Sequence, residues 1–369
     1  MKKQIFILVF IVVATFSSID KSFGQAVAGS VPRSLSCTDD ALHPFAGKEY
    51  IYTVSPTPSG GQYTWWATKD ASFISTALGI TTTNLATTLL KSPTTTTPGT
   101  DLTSTSASYG ITTASDNVKI TWSSSILAGT SYQGTVGTKT PTFIAVQYTP
   151  PSGSGCADNF KVYELDPKNG FTVDILNLDA TKMPIGVGAA VYDQNVNQCF
   201  ANVSSAKYSA GKMDYQYGIN TLYFEVVASN FSASWTPTFK LTGLDTKQTA
   251  LIEWDYTKAF AVPKAVASSI ASPTSVITNS SNTSSGVSIY VRVTITNNSF
   301  EGLSNETIRL AVDGTNASNE LDVVNSTCST PAAADFADYA EQILKTRPTV
   351  IEGTSSLIPT NTGIVPKNP

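Results

Sequence analysis

Histidine is almost missing from this chain of 369 residues: His43 is the only one. Any Ser-His-Asp or Cys-His mechanism would have to be built on it. It stands in Leu42-His43-Pro44 and reads as a turn residue, and sites made of several histidines are excluded by count. Charge is scarce as well. Asp, Glu, Lys and Arg make up 14% of the chain and the formal net charge is -4, so the basic stripes that nucleic acid demands are lacking and no nucleic-acid partner is expected. No Gly-rich phosphate loop of the required spacing occurs. Long apolar runs are absent too. The longest, residues 5–16, is broken only by Thr15 and falls well short of the roughly 20 residues needed to cross a bilayer, so no membrane insertion is expected.

That run follows Lys2 and Lys3 and precedes Ser22-Phe23-Gly24, whose small residues at the first and third places suit signal peptidase. Residues 1–24 therefore read as a signal peptide cleaved after Gly24, and the chain as exported. The expected location is the cell surface or extracellular space, with the periplasm as the other possibility. Cleavage would remove Lys2, Lys3, Lys21 and Asp20, a net +2, and move the formal charge from -4 to -6.

The remainder is rich in Ser, Thr, Asn and Gly, with Val, Ile, Tyr and Phe as its apolar part, a mixture that favours strands and turns. Residues 25–36 read as a leader segment. In residues 48–54, Tyr50, Tyr52 and Val54 share a face, and the run is stopped at Pro56-Thr57-Pro58-Ser59-Gly60-Gly61. Gln62-Tyr63-Thr64-Trp65-Trp66 reads as the returning strand. Residues 76–115 form a Thr/Ser-rich tract expected to be a long loop or weak edge strands. Residues 143–148, FIAVQY, are apolar on both faces and suit a central strand.

The run Asp166-Pro167-Lys168-Asn169-Gly170 is a turn-forming seam, after which a second strand set begins. Its clearest member is VSIYVRVTI, with Val287, Ile289, Val291, Val293 and Ile295 on one side. Near the end, Phe336, Tyr339, Ala340, Ile343 and Leu344 have the spacing of one helical face, stopped by Arg347-Pro348. The expected organisation is a sandwich over residues 37–165, a second sandwich region over 166–349, divided if at all near 263–286, and an extended tail over 350–369.

Four cysteines suit an exported chain. Cys37, Cys156, Cys199 and Cys328 allow three pairings. Cys37 and Cys156 bracket the first strand set and Cys199 and Cys328 lie in the second, so one bridge per sandwich is expected.

The run GKEYIYTVSPTPSGGQYTWW, with a later ITW and a cysteine before the closing strand, resembles the PKD-like and immunoglobulin-like modules common in exported proteins of Bacteroidota. The resemblance continues through NFKVY, FTVDI, YGINTLYFEV, SWTPTF and LAVDGTNA. It implies an all-β fold of tandem immunoglobulin-like (PKD-like) β-sandwiches with long Ser/Thr-rich loops, in a cell-envelope or extracellular setting. It supplies no catalytic residues.

Three constellations carry possible chemistry. Glu253 and Asp255 share a strand face, as a carboxylate pair would, but that face is expected to be solvated. Asp313, Asn316, Asn319 and Asp322 crowd oxygen atoms around a turn, a weak candidate for calcium, which takes roughly six to eight oxygens; Asn and Asp favour such turns without an ion as well. No other cofactor is implied. Trp65 and Trp66 must point to opposite faces of their strand, so one of them could be exposed to stack on a sugar ring. The favoured reading is a non-enzymatic structural or adhesive protein whose partners are other copies or surface proteins, with contacts at exposed sheet edges or at the chain ends. A carbohydrate-binding module using exposed Trp is the alternative.

Overall fold

The computed structural model describes residues 34–69, 71, 73, 89–91, 111–134, 136–185, 196–266, 270–271, 277–278, 286–324 and 326–349. The expected signal peptide, most of the leader, most of the Thr/Ser-rich tract and the tail lie outside them.

Among the described residues the first sandwich holds seven strands: β1 (Glu49–Thr53), β2 (Gln62–Thr68), β3 (Leu89–Lys91), β4 (Ile111–Thr113), β5 (Asn117–Thr121), β6 (Phe143–Thr149) and β7 (Asn159–Glu164). They form two antiparallel sheets, in the orders β1-β5-β3 and β4-β2-β6-β7. Alternation sets which side chains meet between the sheets. Tyr50, Tyr52, Val118, Ile120 and Trp122 from one sheet pack on Tyr63, Trp65, Ile144, Val146 and Tyr148 from the other. The doubly apolar β6 lies between β2 and β7, as its sequence requires, because a central strand covered on both faces has no solvated side. A one-turn helix, α1 (Ser124–Ala128), follows β5. The Ser123 side chain caps it by accepting from Ile126 N–H, and it adds Ile126 and Leu127 to the core.

The second sandwich contains β8 (Thr172–Leu178), β9 (Val196–Cys199), β10 (Val203–Ser209), β11 (Lys212–Ser229), β12 (Ser234–Thr242), β13 (Thr249–Asp255), β14 (Lys264–Val266), β15 (Ile270–Ala271), β16 (Ile277–Thr278), β17 (Val287–Asn298), β18 (Glu306–Asn316) and β19 (Asp338–Lys345). One sheet runs β10-β11-β17-β13-β14, with β8 also on β11; the other runs β15-β12-β18-β19-β9, with β16 also on β12. Strands on both sides of residues 263–286 pair with each other, β13 with β17 and β12 with β18, and share one core. Ile289, Val291, Val293 and Ile295 are fully buried there against Phe224, Phe239, Trp235 and Trp254.

The helix expected around 336–344 is a strand. In β19, Asp338, Ala340, Gln342 and Leu344 point inward and alternate with half-buried residues. Ala340 and Leu344 satisfy a four-residue spacing as well as a two-residue one, and the polar identity of the intervening inward residue hides the alternation. Gln342 is tolerated inside because its amide donates to the Tyr223 carbonyl, 2.8 Å away.

Leu165 belongs to the first core and Phe171 to the second, so residues 166–170 form the junction. Gly170 is required there: a Cβ on it would lie 2.6 Å from the Phe45 ring. Ser124 and Ser232 lock the sandwiches reciprocally, each backbone N–H donating to the other's Oγ, at 2.8 and 2.9 Å.

The cysteine pairing differs from one bridge per sandwich. Cys37 bonds to Cys328, with Cα atoms 6.0 Å apart. The β18–β19 connection reaches back over the junction, where Ser36 and Cys37 N–H groups both donate to the Ser326 carbonyl. Cys156 and Cys199 are exposed free thiols. Cys156 precedes β7 at the pole of the first sandwich away from the junction, and Cys199 ends β9 at the far pole of the second. Their expected partners are thus out of reach.

Candidate functional site

Trp65 and Trp66 are both fully buried, which corrects the expectation of an exposed ring. β2 is flanked by β4 and β6 and covered on both faces. Trp65 enters the core between the sheets. Trp66 points outward, beneath a separate cluster, with its ring 5.4 Å from that of Phe160 and with Phe73 and Val162 completing the cover. Neither ring presents a face to a sugar. Trp122, Trp235 and Trp254 are likewise buried.

Glu253 and Asp255 are both engaged by the protein, and Asp255 is buried rather than solvated. Arg292 donates from Nε and Nη2 to Glu253 Oε2 at 3.0 and 2.7 Å. Burial raises the Asp255 carboxyl, but N–H donation from Val262 and Thr257 outweighs it and holds the group below its ordinary value. His43 Nδ1 lies 2.8 Å from Asp40 and Nε2 3.8 Å from Asp166, so the only histidine ties the N-terminal turn to the junction.

The four oxygen-bearing residues of the β18 turn divide into two groups. Asn316 Oδ1 accepts the N–H groups of Ser318 and Glu320, and Asn319 takes a left-handed turn conformation with φ of 62°. Asp313 and Asp322 point inward instead. Asp322 Oδ1 accepts Gly314 N–H at 2.7 Å, and Asp313 Oδ2 accepts Asp335 and Phe336 N–H. Burial, then the neighbouring Asp338 and Asp313 carboxylates, push the Asp322 carboxyl well above its ordinary value, and it hydrogen-bonds to Asp313. Asp313 Oδ1 is buried without a hydrogen-bond partner. These acids thereby shape the connection that carries Cys328. Among the described residues, no group of three or more His, Cys, Asp or Glu side chains is arranged to hold a metal ion.

Among the described residues, two surfaces at opposite poles lie open. Among the described residues of the first sandwich β1 and β7 are both edge strands, and a groove of about 310 Å3 between them is lined by Val54, Ser55, Val146, Tyr148, Phe160, Lys161 and Tyr163 among others. In the second, β10 and the first residues of β11 form a hairpin that runs past the end of the sheet: β11 pairs with β17 only from Tyr217 onward. The projecting part is about 20 Å long at roughly 3.4 Å per residue. Its register, Tyr208 opposite Met213 and Ala206 opposite Tyr215, puts these four on one face. Tyr208, Met213 and Tyr215 are 58%, 40% and 46% exposed. Arg347 braces the root of this arm, its guanidinium 4.1 Å from the Tyr217 ring. Sequence reasoning missed the arm, although KYSAGKMDYQY carries the signal: strict alternation on either side of an Ala-Gly turn.

No family model matches the chain, and no curated protein matches it. Solved structures give distant likenesses. The N-terminal domain of PorA is 11% identical, covering 47% of this chain and 96% of that one, with a TM-score of 0.23. The CupB6 tip adhesin from Pseudomonas aeruginosa is 8% identical, covering 87% and 96%, with a TM-score of 0.24. The full-length major pilin SpaD from Corynebacterium diphtheriae is 9% identical with a TM-score of 0.22; the match covers 87% of this chain and 64% of the pilin. Likeness at these scores carries no argument about function.

Proposed function

We propose that this chain is a non-enzymatic, exported structural or adhesive protein, a stiff two-sandwich unit whose partners are other copies of itself or other surface proteins. The Cys37–Cys328 bridge carries this reading. It joins the start of the first sandwich to a loop of the second across 291 residues of sequence, so the two cannot swing about residues 166–170. Enzymes that close on a substrate between domains need the opposite. A bridge of this kind also fits an oxidising compartment. No helix among the described residues is long and apolar enough to cross a membrane.

Protease treatment of intact host cells, followed by fractionation and immunodetection, tests the location. The reading expects full-length protein, lacking residues 1–24, in the envelope or medium and accessible to protease from outside. Recovery from the cytoplasm with residues 1–24 intact would sink it.

A further inference from the structure

We propose that the groove between β1 and β7 binds an acidic sugar, a ring that carries a carboxylate and forms part of a glycan. The site deepens the adhesive half of the reading above, on which it rests, by naming the chemistry of what is held. β7 sets its character. Cross-strand pairing puts Tyr163 beside Ile144, Lys161 beside Val146 and Asn159 beside Tyr148. Those three partners belong to the first core, so Asn159, Lys161 and Tyr163 turn toward the inside of the sandwich as well. Asn159 and Lys161 are nevertheless exposed and Tyr163 is half-buried, because no strand among the described residues closes the gap between β7 and β1. Lysine seldom turns toward a core.

Charge sets the sign of the ligand. Lys161 is the one charged residue of the lining, and no carboxylate lines the groove to answer it. The rest of the lining sets the ligand's kind. Tyr163, Val54 and Pro56 offer apolar surface to the C–H face of a sugar ring, and the hydroxyls of Ser55 and Thr57 lie in the same groove. Asn159 Oδ1 already accepts Phe160 N–H, which leaves its amide NH2 to donate to the ligand. The floor is fixed in advance: the Tyr148 hydroxyl donates to the Pro58 carbonyl and accepts Gly61 N–H, and its ring lies 5.0 Å from that of Tyr63, so little order remains to be gained on binding. A volume of about 310 Å3 is that of roughly ten waters at about 30 Å3 each, room for a sugar ring and part of its neighbour. An added β-strand is the poorer occupant. An inward-pointing charge on an edge strand discourages pairing, Lys161 lies in the middle of β7, and Pro56, just beyond β1, has no N–H to offer.

The test uses the full chain without residues 1–24, purified oxidised, with binding read by titration calorimetry and saturation-transfer NMR. The probes are methyl glucuronide, methyl galacturonide and methyl sialoside, each paired with the same sugar reduced at its carboxyl to an alcohol. At least one acidic probe binds the wild-type protein, and its reduced partner binds at least about tenfold more weakly. Lys161→Gln weakens the acidic probe at least about tenfold and leaves the reduced one unchanged. Tyr163→Leu, which keeps an apolar side chain against the core, weakens both. Lys161 is exposed, so its replacement preserves the fold, and the melting temperature checks both variants.

Failure of all three acidic probes to bind shows that Lys161 only guards the edge of β7; it overturns the site and leaves the exported structural reading standing. Equal affinity for the reduced sugars overturns it because charge then selects nothing, and acetate binding as tightly as any probe overturns it because the ring then contributes nothing. An extended acidic peptide that binds instead, and protects the edge amides of β1 and β7 from hydrogen exchange, overturns it in favour of strand addition. Recovery from the host cytoplasm with residues 1–24 intact sinks the structural reading, and is measured apart from binding by the purified protein.

Discussion

The Asp322 carboxyl is the residue at which stability should respond to pH with an unusual sign. Its folded pKa lies above the unfolded value of about 3.9, so the stability it contributes is fully present below that value and is lost as pH rises through the folded pKa. Asp40, Asp179 and Asp255, all held below their ordinary values, act in the opposite direction, losing stability as pH falls. A single variant separates the two. Asp322→Asn keeps the acceptor for Gly314 N–H and puts an amide that cannot ionise beside Asp313. Urea unfolding should find the variant more stable than wild type by at least about 1 kcal/mol at pH 8, with the difference shrinking toward pH 4. A constant difference over that range would mean that Asp322 is not protonated in the fold.

Ser232 gives a second prediction on the same scale. Ser232→Ala leaves the Ser124 N–H buried at the junction without an acceptor, a loss of about 1–3 kcal/mol measured by the same method. Ser232→Gly should cost a similar amount, because the missing group is the hydroxyl; a neutral outcome for Ser232→Ala would mean that the reciprocal pair does not hold the sandwiches.

At the scale of elements, the strands were largely legible because burial of one face imposes a period of two. VSIYVRVTI in β17 and FIAVQY in β6 could be placed, the first from its alternation and the second from being apolar on both faces. β19 was not, because Asp338 and Gln342 are polar residues turned inward, the Gln342 amide donating to the Tyr223 carbonyl far away in sequence. The buried Trp65 and Trp66 were misjudged for a related reason: alternation says that adjacent rings face opposite ways, but only the tertiary packing of Phe73, Phe160 and Val162 says that the outer face is covered as well. The arm failed from the other direction, since an exposed apolar face has the same pattern as a buried one.

The bridge could not be read at all, because Cys37 and Cys328 meet only when the β18–β19 connection crosses the junction. Its loss is an element-scale prediction. Cys328→Ser should lower stability by about 2–5 kcal/mol, as removal of a disulfide closing a long loop does, and should expose residues 166–170 to limited proteolysis. Unchanged melting and an uncut junction would show that Ser124, Ser232 and Gly170 suffice without the bridge.

For the whole molecule, the two sandwiches share a junction tied by the Cys37–Cys328 bridge and place a groove and an arm at opposite poles. The stiffness of such a body has a direct consequence: its maximum dimension in small-angle scattering should be single-valued in the oxidised protein and should broaden in Cys37→Ser/Cys328→Ser. Identical curves would place the rigidity elsewhere.

The function itself is tested most directly by the native mass of the protein extracted from its host without denaturant. The account predicts a high-mass assembly in the envelope or medium, built of repeated copies or of copies with other surface proteins. A soluble monomer in every fraction would contradict it.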